Sequence, residues 1–190
     1  MIKMLIIFML VFIVSCSTAE IKIYSIYMPI QEEILQSLKQ QEILFLVVRS
    51  PKHLDQPYII YRSSPFELNI SSYAKWEATP LDIIRHNIVE ILYSQRIYKE
   101  VKTLRPQVNE KTEVMIVDLK DFSRYDEDKV SYALLHFSVL LKDKDNKEIF
   151  IKDFKIKEKL NDKTYLSLAR GMSQAITKTL QEVAKMSRDR

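Results

Sequence analysis

ILFLVVRSPKHLDQPYIIYRSSPFELNISSYAKWEATPLDIIRHNIVEILY, running from Ile43 to Tyr93, carries two different hydrophobic periods in one short stretch. Ile43 to Val48 is a continuous apolar run, the pattern of a strand covered on both faces. Tyr58-Ile59-Ile60-Tyr61-Arg62 and Phe66-Glu67-Leu68-Asn69-Ile70 read as the arms of a hairpin, with Ser63-Ser64-Pro65 between them as the turn. Thr79-Pro80-Leu81-Asp82 then supplies a capping hydroxyl, a proline at the first helical position and an acid in the first turn. Leu81, Ile84, Ile88, Ile91 and Leu92 fall on one stripe of the predicted helix, which extends through about Tyr93. Strands giving way to a capped amphipathic helix imply an α/β layer.

The same periods continue downstream. Thr112 to Phe122 predicts a strand with Val114 and Ile116 on one face and Met115, Val117 and Leu119 on the other. Val130 to Leu141 predicts a long strand, apolar on both sides. Asp143-Lys144-Asp145-Asn146-Lys147 makes a turn into a further strand, Glu148 to Ile156. That turn lacks the glycine and closing glutamate of a calcium loop, so a solvated hairpin is the better reading. A second helix is predicted from about Lys163 to Met186, with Leu168, Met172, Ile176, Thr179 and Val183 on one face. Gly171 lies inside it, at a cost of about 1 kcal/mol against alanine; a close helix–sheet contact or a kink would account for it. The expected fold class is a single α/β domain: one mixed β-sheet with two main helices packed on it.

Composition excludes several chemistries. The chain has 190 residues, 47% of them hydrophobic, long enough for one substantial core. A net charge of +4 is too mild to indicate a nucleic-acid surface. One glycine cannot write a dinucleotide fingerprint or a P-loop, where glycines let backbone approach phosphate. One cysteine allows no internal disulfide and no cysteine-rich zinc site. His53, His86 and His136 show no metal-ligand spacing, and the acidic runs Glu32-Glu33 and Asp126-Glu127-Asp128 suit solvated turns. No nucleophile elbow is present. The expectation is no enzyme, no catalytic or metal residue and no cofactor. Ten tyrosines and eight phenylalanines remain, with Tyr24, Tyr27, Tyr58, Tyr61, Tyr73 and Trp76 gathered in the first half. They fit strand packing, and equally an amphipathic surface for a protein or a lipid headgroup.

The N-terminus locates the cysteine. Met4 to Val14 is an eleven-residue uncharged apolar run, far short of the ~20 residues that span a bilayer and of signal-peptide length. Ile13-Val14-Ser15-Cys16 resembles a bacterial lipobox, with isoleucine for the usual leucine and valine for the usual alanine or serine. That resemblance implies cleavage after Ser15, lipid on Cys16 and, with Ser17 rather than aspartate next, the outer membrane. Ordinary secretory cleavage, for instance after Ala19, is the rival. The expected organisation is a signal peptide over 1–15, a lipidated tether over 16–20 and one domain over 21–190.

A larger resemblance follows from Leu44-Phe45-Leu46-Val47-Val48, Pro51-Lys52-His53-Leu54-Asp55-Gln56-Pro57, Ile59-Ile60-Tyr61-Arg62 and Trp76-Glu77-Ala78-Thr79-Pro80-Leu81. In this order they resemble the ABC-type transport auxiliary lipoprotein family: a Val-rich strand, a Pro-x-x-Leu-Asp-x-Pro-x-Ile loop, a Tyr-Arg strand end and a Trp-Ala-Glu-Pro-Leu helix entry. Here the helix entry has one extra residue, and Glu and Ala are exchanged. Tyr24-Ser25-Ile26-Tyr27-Met28-Pro29 is similar to the family's opening strand. Ala169-Arg170-Gly171-Met172-Ser173-Gln174-Ala175 is similar to its closing helix, with glycine where alanine is common. The resemblance implies a periplasm-facing, outer-membrane lipoprotein working with an MCE-domain protein of an ABC-type lipid transporter, a homo-oligomer being open. It also implies that ATP is hydrolysed by another subunit. Pro51, Leu54, Asp55, Pro57, Arg62, Trp76 and Pro80 are the implied motif residues, as fold determinants or partner contacts. A stand-alone structural or assembly lipoprotein of the outer membrane, or a direct lipid carrier, is the alternative.

Overall fold

β6 (Glu113–Glu127) is the strand on which the sheet is assembled. The computed structural model describes residues 20–29, 43–103 and 112–189; Ser15, Cys16 and Glu32-Glu33 lie outside them. One full edge of β6 pairs antiparallel with β7 (Val130–Lys142), and β7 pairs antiparallel with β8 (Glu148–Lys159). The other edge is shared in parallel by two strands. β2 (Ile43–Arg49) takes its first half, from Leu44↔Glu113 to Arg49↔Asp118. β3 (Tyr58–Ser64) takes its second half, from Ile60↔Ser123 to Arg62↔Tyr125. Beyond β2 lies the short β5 (Glu100–Lys102); beyond β3 lie β4 (Glu67–Trp76), antiparallel, and β1 (Lys22–Tyr24), parallel to β4. These eight strands form one mixed sheet.

The predicted β6 alternation holds only to Leu119. Leu119 pairs with Phe137 and Asp121 with His136, so Lys120 is an extra residue. Because side chains alternate with period two, one inserted residue exchanges the faces. Met115, Val117 and Leu119 are buried before the bulge; Phe122 and Arg124 are buried after it. The strand therefore runs to Glu127, past the expected end at Phe122, with its buried phase shifted by one.

α1 (Pro80–Ser94) packs on β2 and β5, and α2 (Tyr165–Arg188) on β7 and β8, and the two helices touch each other. The predicted helix stripes face the core: Ile84, Ile88, Ile91 and Leu92 are buried in α1, with Leu81 half-buried, and Leu168, Met172, Ile176, Thr179 and Val183 are buried in α2. The expectation that Ile43 to Val48 is covered on both faces is corrected. Only Leu44, Leu46 and Val48 are fully buried, and Ile43, Phe45 and Val47 are half-buried. The two described helices lie on one side of the sheet, and among the described residues no element layers the other side, so the run is continuous without double coverage. Gly171 is explained by contact rather than by a kink: a Cβ there would stand 2.5 Å from Leu160 Cδ2 and 3.3 Å from Ala133 Cβ. Tyr24 to Met28 is strand only at its start, since β1 ends at Tyr24. No helix among the described residues is long and apolar enough to cross a membrane.

Candidate functional site

The family-motif residues converge on the junction of β2, β3 and β4. Pro51, extended at φ −62° and ψ 152°, precedes a 3-10 turn over Lys52–Leu54. The Leu54 N–H donates to the Pro51 carbonyl at 2.9 Å and the Asp55 N–H to the Lys52 carbonyl at 3.2 Å. This turn folds Leu54 into the core, where it is 1% exposed, and leaves Asp55 outside. The Pro57 carbonyl accepts from the Trp76 N–H at 2.8 Å, tying the loop to the end of β4. The Trp76 ring is buried and meets Phe122 edge-on, centroids 5.4 Å apart. Pro80 is buried at the first position of α1, whose Thr79 cap accepts from the Asp82 N–H at 3.1 Å. The Arg62 guanidinium pairs with Asp121 at 3.3 Å. Loop, wedge and cap thus hold three strands and a helix in register, which is a structural task.

Arg124 is a residue that the periodicity did not point to. It is 8% exposed, and its guanidinium stands over the Tyr61 ring at 5.1 Å and the Tyr165 ring at 5.3 Å. It donates to the Lys163 carbonyl at 2.8 Å and to the Asp126 carboxylate at 3.0 Å. A buried cation needs a counter-ion and partners for its N–H groups; Asp126, the Lys163 carbonyl and two ring faces supply most of these, and the Arg124 Nε stays without a hydrogen-bond partner. The arrangement clamps the start of α2 to β6 and β3. Burial pushes the Tyr165 phenol above its ordinary value. The one sequence signal was a charged residue beyond the end of a well-behaved alternation.

Several of the remaining titratable groups form surface pairs. His136 Nε2 lies 2.9 Å from Asp153, which also pairs with Lys120; these contacts, Lys120 first, hold the Asp153 carboxyl below its usual range. His86 faces Glu90 at 3.4 Å, and His53 sits in the 3-10 turn. Asp126 also accepts from Ser131, and Glu127 accepts from Lys157. In the Asp143 turn one carboxylate oxygen accepts two backbone N–H groups at 2.8 Å, closing a solvated hairpin. Among the described residues no group of three His, Cys, Asp or Glu side chains could hold a metal. A mostly apolar groove of about 590 Å³ runs between Tyr27, Pro29 and the α2 residues Leu166, Ala169, Ser173 and Thr177.

Several known proteins share this architecture. Protein XCC0632 from Xanthomonas campestris, described under DUF330, superposes with a TM-score of 0.77 at 15% identity, covering 88% of this chain and 95% of that one. A crystal structure described as an uncharacterized protein gives 0.65 at 15% identity over 87% and 98%. The hypothetical protein CT253 from Chlamydia trachomatis gives 0.50 at 12% identity over 79% and 99%. Likeness at such identities speaks for the fold alone. The comparison with curated proteins finds no match. The family model described as ABC-type transport auxiliary lipoprotein component matches residues 24–184, from β1 almost to the end of α2. This chain therefore belongs to the ABC-type transport auxiliary lipoprotein family.

Proposed function

We propose that the chain is a non-enzymatic lipoprotein of the outer membrane, facing the periplasm, that docks or supports an MCE-type ABC lipid transporter. The observation that carries this reading is the family match over 24–184 directly downstream of a lipobox-like Ile13-Val14-Ser15-Cys16. In this reading residues 1–15 are removed, Cys16 carries lipid, 16–20 form the tether and 21–190 fold as the docking domain. One acyl chain binds a membrane reversibly, and each buried methylene adds about 0.8 kcal/mol, so a multiply acylated Cys16 is a lasting attachment. The single glycine leaves no phosphate-binding loop in this chain, and energy coupling falls to a partner. Pro51, Leu54, Asp55, Pro57, Arg62, Trp76 and Pro80 act first through the fold, with Asp55, exposed at the loop, the one best placed to meet a partner.

Fractionation of envelopes from cells carrying Cys16→Ala tests the anchor and the docking role together. The variant is expected to accumulate as unprocessed precursor or to leave the outer membrane, and the MCE protein to lose its outer-membrane association. Normal outer-membrane recovery of both proteins would contradict the reading.

A further inference from the structure

We propose that the β3–β4 hairpin apex, with Phe66 at its tip, seats in the lipid surface to which the chain is tethered. The proposal rests on the reading of Cys16 as the attachment point and adds an orientation to it. Phe66 is 97% exposed, the most exposed of the large apolar side chains described. Its N–H is turned back to the Ser64 hydroxyl at 3.3 Å, so the tip is closed and its ring projects outward. Leu68 and Ile70 follow on the outer strand, 39% and 50% exposed. They share a face by alternation, with Ile70 opposite Ile60. Ser63, Ser64 and Pro65 carry no charge. A cluster of this kind at a loop tip, uncovered by any of the described elements, suits an interfacial layer where one side is apolar.

Direction and length identify the lipid as the occupant. β1 runs parallel to β4, with Lys22 opposite Ala74 and Tyr24 opposite Trp76. The chain entering β1 therefore comes from the side of Tyr73 and, beyond it, the hairpin apex. Cys16 lies six residues before Lys22, an extended reach of about 20 Å. Seven residues separate Ala74 from Glu67 along β4, at most about 24 Å at strand rise, less for the register shifts in this hairpin. An extended tether is thus long enough to bring the attachment point to the level of the apex at that end of the molecule. Ile21 and Ile23, 54% and 61% exposed, lie along that path. A short tether holds the apex near the bilayer at high effective concentration, so even a weak contact is populated.

The test uses the chain from Cys16, coupled through its single thiol to phosphatidylethanolamine–phosphatidylglycerol vesicles bearing a maleimide lipid, which makes it independent of bacterial lipidation. Phe66→Trp places an indole at the apex, and Ile151→Trp places one on the far edge strand β8, where Ile151 is 62% exposed. The emission of the native Trp76, measured in the unsubstituted protein, is subtracted from each. Brominated acyl chains are expected to quench the Phe66→Trp indole at least twofold relative to the Ile151→Trp indole. Without coupling, Phe66→Ser should lower vesicle partitioning by about tenfold. Equal quenching at both positions, or none at the apex in a folded protein, would overturn the proposal. Palmitate labelling in cells reads the anchor separately: its loss with apex quenching intact removes the Cys16 reading and leaves the apex as a lipid-seeking surface in its own right.

Discussion

At Gly171 the helix–sheet distance is set by one missing carbon. Alanine there gains helix propensity of about 1 kcal/mol, but its Cβ must push aside Leu160 Cδ2 at 2.5 Å and crowd Ala133 at 3.3 Å. Leu160 ends in a flexible side chain and can give, so Gly171→Ala should be close to neutral. Gly171→Val should cost about 2 kcal/mol or more, as overpacking does. Leu160→Ala in the same chain should recover part of that loss, a coupling read by a denaturant double-mutant cycle. Additive costs would show that Gly171 serves some other purpose. Arg124→Met should destabilise by about 2–3 kcal/mol, because the Asp126 carboxylate and Lys163 carbonyl lose their donor and two rings lose a cation. Hydrogen exchange should rise first at residues 163–168, where α2 begins. Gly171 was visible as an anomaly in the sequence because propensity is local. Arg124 was not, because its ring partners Tyr61 and Tyr165 come from distant parts of the chain.

Elements with local signals were legible and those defined by pairing were not. The Thr79 cap, Pro80 and the apolar stripe of α1 predicted a helix that is found over Pro80–Ser94. Trp76 read as a motif residue before that helix, a fold determinant or a partner contact, and its buried ring packs against Phe122. Alternation cannot reveal β5, three residues long, or a bulge that exchanges two phases each plausible alone. Lys120 makes that exchange testable. Deleting it restores plain alternation, with Asp121 still facing outward and Phe122 and Arg124 still inward, so cooperative thermal unfolding should be retained. Lys120→Ala keeps the residue count and should retain the fold. A deletion variant that unfolds without cooperativity would show that the bulge itself is needed for the β6–β7 pairing. At the start of α2, the Thr164 hydroxyl and N–H both donate to the Asp162 carboxylate and hold its pKa below the ordinary value. A lowered folded pKa gives stability that is present above about pH 4 and lost as pH falls through the folded value. Asp162→Asn should therefore flatten the decline of Tm on the acid side, while a decline unchanged from wild type would assign it to other carboxylates.

The whole molecule divides its surface by layer. Among the described residues, two helices cover one side of an eight-stranded sheet and no element layers the other side. The single-domain α/β class was legible from the periods alone, and the ordered motifs from Leu44 to Leu81 carried the family, because each is a local device for holding the β2–β3–β4 junction. Branching of the sheet on β6 was not legible, since no local pattern says that two strands share one edge. The aromatic residues divide in the same way. Trp76 is core, whereas Tyr27, Tyr58 and Tyr73 are exposed and keep a surface role open to them. A docking lipoprotein needs this combination of a rigid scaffold, an anchor and uncovered faces, and needs no catalytic centre. Crosslinking of intact envelopes, followed by capture of the lipidated protein and mass spectrometry, tests that role most directly. The account predicts recovery of an MCE-domain protein, with the ABC components of its transporter, at levels that fall in the Cys16→Ala strain. Efficient capture of the crosslinked lipoprotein with no MCE or ABC component would contradict it.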